Sequence, residues 1–218
     1  MGLVLPEKPG EYQENYDRFM ERCEIFLPHA DCVLISVAYA LAKHYHRFDV
    51  RKDELDENGE PLRYFEHVRR VAIIIIDELA LPDLYLIIEG LLHDAPEDTR
   101  LAPEAITLVF GAEVSRSIML MSKKPKQGFH QRLLDHADWR VLIVKGCDRL
   151  DNVRSLVGSS PEFRAKQIKE TRLMYYPLMD VLIERAPDDV LPQVRRLKAL
   201  LLAETERMAE VSRVLEGS

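Results

Sequence analysis

The stretch LLHDAPEDT, Leu91 to Thr99, limits the possible folds more than any other. It closes a strongly apolar segment that starts at Asp83, and a segment that apolar has to be buried. Burial carries the adjacent His93-Asp94 pair to the edge of a core, an uncommon place for such chemistry unless its polar atoms are satisfied there. A second acidic pair, Glu97-Asp98, begins three positions after Asp94. Four side chains able to bind a metal or move a proton therefore lie close together on the chain. Two other stretches read as its partners, YFEHVRRVA (Tyr64 to Ala72) and VLIVKGCDRLDNVRSL (Val141 to Leu156).

The rest of the chain is patterned for helices. Tyr12, Tyr16, Phe19, Met20, Cys23, Phe26 and Leu27 recur at three- and four-residue steps and predict an amphipathic helix from Glu11 to Leu27, ended near Pro28. Residues 1 to about 12 read as an extended arm. Ala30 to His46 is a second, more apolar helix. The acidic stretch from Asp49 to Pro61 reads as a loop. Tyr64 to Leu81 contains Ile73-Ile74-Ile75-Ile76, which suits a buried strand, but the continuous run is too long for one and is read as helix. Pro96 should stop or kink the helix from Asp83 to His93. Further helices are expected at Pro103 to Phe110, Ala112 to Met121, Phe129 to Ala137, Trp139 to Leu156, Pro161 to Arg185 (bent at Pro177) and Asp188 to Leu215. Asp188 and Asp189 are suitable N-caps for the last. With no convincing strand pair and no repeat, the expectation is one all-α domain. Residues 1–28 form an arm and first helix packed on a core of 29–186, and residues 187–218 add a C-terminal helix to the same domain.

The formal net charge of −7 disfavours a nucleic-acid duplex as the main partner, since duplex binding needs a basic surface. A small anionic substrate needs only a local cluster of cations. Three widely spaced cysteines, Cys23, Cys32 and Cys147, argue against a disulfide framework and for a reducing, cytoplasmic setting. No signal peptide is apparent, Pro6 spoils a myristoylation signal, and no apolar run reaches membrane-spanning length, so no membrane partner is expected. The sequence carries no signal for an oligomeric state.

If the three stretches converge, they pool His67, His93, Asp94 and Asp148. Nitrogen and oxygen donors without thiolate suit a divalent ion such as Mn, Fe, Co, Ni or Zn and disfavour a structural zinc site. On a continuous helix Glu97 and Asp98 would lie one turn beyond His93 and Asp94 on the same face, placed to orient or deprotonate a water. Each feature also has a structural reading: a helix-end hydrogen bond for His93-Asp94, an ordinary polar position for His67, a surface ion pair for Asp148-Arg149, a helix-dipole effect for Glu97-Asp98. These readings are independent of one another, and the joint occurrence favours the metal.

The order of these segments resembles the HD phosphohydrolase superfamily, and more closely the hydrolase domain of RelA/SpoT-type alarmone enzymes. LLHDAPEDT resembles its HD-x-x-ED segment and KGCDRLDNVRSL its ADRLHN-type segment. Arg51-Lys52, Gly59-Glu60-Pro61 and Tyr64-Phe65-Glu66-His67 resemble its RK-S-GEP-Y-I-x-H segment, VFGAEVSRSI its FG-x-EV helix, and KETRLMYYPL a later ET-L-x-IYAPL segment. The resemblance runs from about Tyr39 to Leu178. It implies an HD-domain helical bundle that uses Mn2+, with other divalent ions as alternatives, to remove the 3′-pyrophosphate from (p)ppGpp. It assigns His67, His93, Asp94 and Asp148 as metal ligands and Glu97 and Asp98 as the acidic pair. Asn152 would contact the sugar, Arg51 and Lys52 would lie near the base and phosphates, and Lys145 and Arg149 are further candidate cations with a structural ion pair as the alternative. Lys123, Lys124 and Lys126 read most simply as a solvated loop.

The chain departs from the pattern in places. Asp53 to Asn58 are six extra residues between RK and GEP, the family's His in DRLHN is Asp151, and Pro96 sits inside HD-x-x-ED. The altered loop leaves base preference open between (p)ppGpp and (p)ppApp. The length suggests a stand-alone small alarmone hydrolase. The alternatives are another HD phosphohydrolase acting as a nucleotidase, a catalytically weak nucleotide-binding HD module, and a plain helical interaction protein.

Overall fold

The helix that fixes the architecture is α9 (Trp139–Arg154). It buries Val141 through Leu150, Asp151 and Val153, including the charged Lys145, Asp148, Arg149 and Asp151, so its neighbours enclose it on every side and it is central. α3 (Tyr64–Ile73), α4 (Leu84–Leu92), α7 (Ala112–Met121), α11 (Tyr176–Arg185) and α12 (Leu191–Glu216) pack against it. α1 (Tyr12–Glu24) packs on α2 (His29–Tyr45), which in turn covers α4. The result is an all-α bundle. This is a computed structural model, and it describes residues 12–55 and 59–216. The expected N-terminal arm and residues 56–58 at the end of the acidic insertion lie outside the described residues, as does the side chain of Lys52. No helix among the described residues is long and apolar enough to cross a membrane.

Most expected helices form where their punctuation says. α6 (Pro103–Phe110) begins on a proline, whose missing N–H costs nothing in a first turn, and is separated from α7 by Gly111 at φ 91°. The isoleucine run is helical and buried, with Ile74–Glu78 widened into a π-turn after α3. Residues 161–185 form α10 (Pro161–Glu170), a π-turn at Thr171–Tyr175 and α11, so the interruption falls just before Pro177. That fits a residue that removes a helical donor and crowds the preceding turn. On α12, Val194, Leu197 and Leu201 are fully buried, so the apolar stripe packs into the bundle.

Three expectations are corrected. The loop expected from Asp49 to Pro61 contains a two-stranded antiparallel hairpin, β1 (Val50–Leu55) and β2 (Pro61–Arg63), with Val50 opposite Arg63. Its side chains do not alternate apolar and polar; the Arg70–Glu54 ion pair, with Arg51 donating to Asn152 and Ser155, holds β1 to the bundle. The helix expected to Leu156 ends at Arg154 and tightens into a 3₁₀ turn, Ser155–Gly158. Asp188 and Asp189 do not cap α12. They lie exposed in a turn closed by Val190 and Leu191 N–H on the Pro187 carbonyl, and the helix starts at Leu191.

Glu89 sits in the middle of α4, 1% exposed, with Oε2 lacking a hydrogen-bond partner. Burial raises its carboxyl from 4.5 to about 8, with Ser117 opposing and Asp138 reinforcing the shift. Between those values the folded chain holds a proton that the unfolded chain releases, so stability falls as pH rises through this window. Glu89→Gln should remove that slope. Urea denaturation should find the variant more stable than the parent at pH 8 by on the order of 1–2 kcal/mol, and nearly equal to it at pH 5.

Candidate metal centre

Three elements deliver the four donors. His67 comes from the first turns of α3, which lies along α9. α4 ends at Leu92, and His93 and Asp94 form the turn into α5 (Ala95–Asp98), with Asp94 as N-cap and Pro96 in the first turn of the new helix. The helix is thus not continuous from His93 to Asp98, and Pro96 is tolerated because first-turn N–H groups have no helical partner anyway. Asp148 comes from the middle of α9.

One donor atom each from His67, His93, Asp94 and Asp148 lies within 4.8 Å of the others, and all four residues are buried. His67 Nε2 stands 3.3 Å from Asp148 Oδ1, and His93 Nε2 stands 3.0 Å from Asp94 Oδ2. Both Nε2 atoms nonetheless lack a hydrogen-bond partner. Two orphaned, fully buried imidazole nitrogens facing two carboxylates fit a divalent cation in chemistry and in spacing. The electrostatics agree. Burial alone would lower the pKa of His67, but Asp148, Asp151 and Asp94 overcome it and hold it at about 10. His93 is held at about 9 against burial by Asp94 and Asp148. Burial would raise Asp94 and Asp148; His93, with His67, holds Asp94 far below the usual carboxylate range, and Lys145, with both imidazoles, does the same for Asp148. The site is built to stabilise concentrated positive charge.

The other expected residues sort into distinct positions. Lys145 is buried and its ammonium is engaged by Asp148, which it neutralises from below. Arg149 is buried and clamps α9 to the α10 region, donating to Thr171 Oγ1 at 2.7 Å, Gln167 Oε1 at 2.7 Å and the Gln167 carbonyl at 2.6 Å. Asn152 Nδ2 donates to Asp148 Oδ1 at 2.5 Å and its Oδ1 accepts from Arg51 at 2.9 Å. Arg51, Asn152 and Arg149 line a cavity of about 330 Å³ together with Tyr64, Lys123 and Glu54. That cavity adjoins the donors, because Tyr64 and Asn152 touch Asp94 and Asp148 directly.

The acidic pair is divided by the turn. Glu97 accepts a hydrogen bond from the Lys123 backbone N–H at 2.6 Å, and Lys124 Nζ donates to the Glu97 carbonyl. The basic loop is therefore not simply solvated: it braces α5. Asp98 is exposed at the end of α5, and loss of part of its hydration, reinforced by Asp94 and Glu97, raises its carboxyl to about 6.

Two contributors were not assigned roles from sequence. Tyr64 donates its hydroxyl to Asp94 Oδ2 at 2.6 Å, with its ring stacked on buried His46. Asp151 meets His67 Nδ1 at 2.7 Å and is held by Arg70 Nε at 2.7 Å. The signal for Asp151 was its place one turn after Asp148 on α9, opposite His67 and Arg70, one turn apart on α3.

No protein-family model matches the chain. Among curated proteins it is similar to the GTP pyrophosphokinase of Myxococcus xanthus, 31% identical over 191 residues that make up 81% of this chain and 24% of that protein. It is 34% identical over 171 residues to the GTP pyrophosphokinase rsh of Brucella melitensis, covering 73% of this chain and 22% of that one. The probable guanosine-3′,5′-bis(diphosphate) 3′-pyrophosphohydrolase of Synechocystis is 32% identical over 190 residues, 81% of this chain and 23% of its own length. The chain is a homologue of RelA/SpoT-type enzymes. It spans about a quarter of the length of these curated relatives. The fold of the RelA/SpoT homologue is also that of a solved structure described as a metazoan ortholog of SpoT that hydrolyzes ppGpp. The TM-score is 0.60 at 24% identity, with 78% of this chain and 95% of that one covered.

Proposed function

We propose that this RelA/SpoT homologue is a Mn2+-dependent hydrolase that removes the 3′-pyrophosphate from alarmone nucleotides, (p)ppGpp or (p)ppApp, as a small alarmone hydrolase. One observation carries the reading. Two imidazole nitrogens without hydrogen-bond partners face two carboxylates at the edge of a cavity lined by Arg51, Lys123 and Arg149. His67, His93, Asp94 and Asp148 would hold the ion, which when bound polarises phosphoryl oxygens and lowers the pKa of water. Asp98, with its carboxyl raised to about 6, is suited to accept the water's proton near neutral pH. Glu97 keeps α5 against the 122–128 loop, so that Asp98 and the cavity wall hold their spacing. The water oxygen would bond the phosphorus next to the 3′ oxygen as Asp98 takes the water's proton, the P–O3′ bond would break with O3′ taking up a proton, and the nucleoside 5′-di- or triphosphate and pyrophosphate would leave. Asn152 would contact the sugar, and Arg51, with Lys52 beside it in the sequence, would contact the phosphates and base.

The test is product identification after incubation with Mn2+ and, separately, ppGpp, pppGpp, ppApp and a mononucleotide. Release of pyrophosphate from the 3′ position is the expected result, with GDP formed from ppGpp. Orthophosphate released from the mononucleotide would instead make the protein a nucleotidase. Absence of turnover with any divalent ion would make it a binding module.

A further inference from the structure

We propose that Asp151 is the positioning residue that aims His67 at the metal. The proposal rests on the metal-centre reading and concerns the half of the imidazole that faces away from the donors. His67 Nδ1 lies 2.7 Å from Asp151 Oδ2, and Asp151 is only 3% exposed. A carboxylate only accepts, so the shared proton belongs to Nδ1, and Nε2, facing His93, Asp94 and Asp148, is the nitrogen that gives up its proton and offers its lone pair when an ion binds. Asp151 cannot turn away. Arg70 Nε donates to its Oδ1 at 2.7 Å and Arg70 Nη2 to its Oδ2 at 3.0 Å. Arg70 is anchored in turn on Glu54 of β1, through Nη2 at 2.8 Å and 3.0 Å from the two carboxylate oxygens.

The second imidazole is oriented differently. His93 Nδ1 donates to the Gly90 carbonyl at 2.9 Å, a neutral acceptor within its own helix. The two histidine donors are therefore unequal. An anionic partner raises the basicity of an imidazole ligand more than a carbonyl does, and such outer partners typically govern metal affinity by 10–100-fold. The hairpin side chain Glu54, Arg70 and Asp151 thus form a relay of charge that ends on a metal donor, linking the cavity wall to the ion.

The competing account makes Asp151 merely the counterion of Arg70. The two accounts separate in Mn2+ binding to the folded protein, read by electron paramagnetic resonance of the free ion. Asp151→Asn should keep the wild-type circular dichroism and bind Mn2+ about 10–100-fold more weakly. Unchanged affinity would overturn the proposal and leave the metal centre standing. Histidine-ring 15N spectra of the wild-type protein loaded with diamagnetic Zn2+ give a reading that survives misfolding of the variant. They should show the His67 proton on Nδ1 and the metal on Nε2; the reverse arrangement would equally overturn it. A wild-type protein that takes up no metal would sink both this proposal and the reading beneath it.

Discussion

Asp94→Ala is expected to abolish stoichiometric Mn2+ binding and to lower pyrophosphate release about a thousandfold or more. The estimate assumes that the ion supplies several kcal/mol of transition-state stabilisation, at about 1.4 kcal/mol per factor of ten. Asp94 is the donor with most at stake structurally. It sits beside His93 Nε2 at 3.0 Å and accepts the Tyr64 hydroxyl at 2.6 Å. Removing it leaves two buried imidazoles with Asp148 as their sole remaining carboxylate in the cluster. Equilibrium dialysis against Mn2+ measures the first effect and the product assay the second. A variant that retains one tightly bound ion would remove Asp94 from the ligand set.

Asp98→Asn is expected to do something different: bind Mn2+ as the parent does and lose about 10²–10⁴ in kcat, the range associated with a positioned general base. The substitution keeps size and polarity and removes only the capacity to take a proton. Asp98 is spaced from the cluster by the first turn of α5, so its loss does not touch a donor. The informative comparison is with Asp94→Ala. Parallel losses of metal and rate in both variants would show that the two carboxylates share one role. Loss of rate with metal intact in Asp98→Asn alone would separate them.

Much of the site was legible because its information is chemical and local. His67, His93, Asp94 and Asp148 stand out by residue type, and the apolar flanks of His93 and Asp148 announce burial. The ends of α4 and α6 were equally readable, since Pro96 and Pro103 act within one turn of themselves. What could not be read depends on which helices meet. Asp151 looked like a loss of a histidine, and only the packing of α3 on α9 places it against His67 Nδ1 and Arg70. The hairpin escaped for the opposite reason: its strands carry no alternating apolar face, and their attachment is by Arg51, Glu54 and Arg70. Lys123 and Lys124 read as solvated because nothing in a lysine-rich loop reveals that α5 will dock on its backbone. The π-turn at Ile74–Glu78 likewise has no local signature.

The all-round burial of α9 also has a consequence for how the molecule comes into being. A helix with no solvent-facing side cannot persist before its neighbours surround it, and it sits late in the chain, after α3 and α4 have been made. His67, His93 and Asp94 therefore precede Asp148 in synthesis; α3 and α4 pack on each other, and α9 brings the fourth donor when it packs against both. Completion of the core and completion of the donor set are the same event. A chain in which α9 has not docked thus presents an incomplete donor set, and an ion held by all four donors opposes the release of α9.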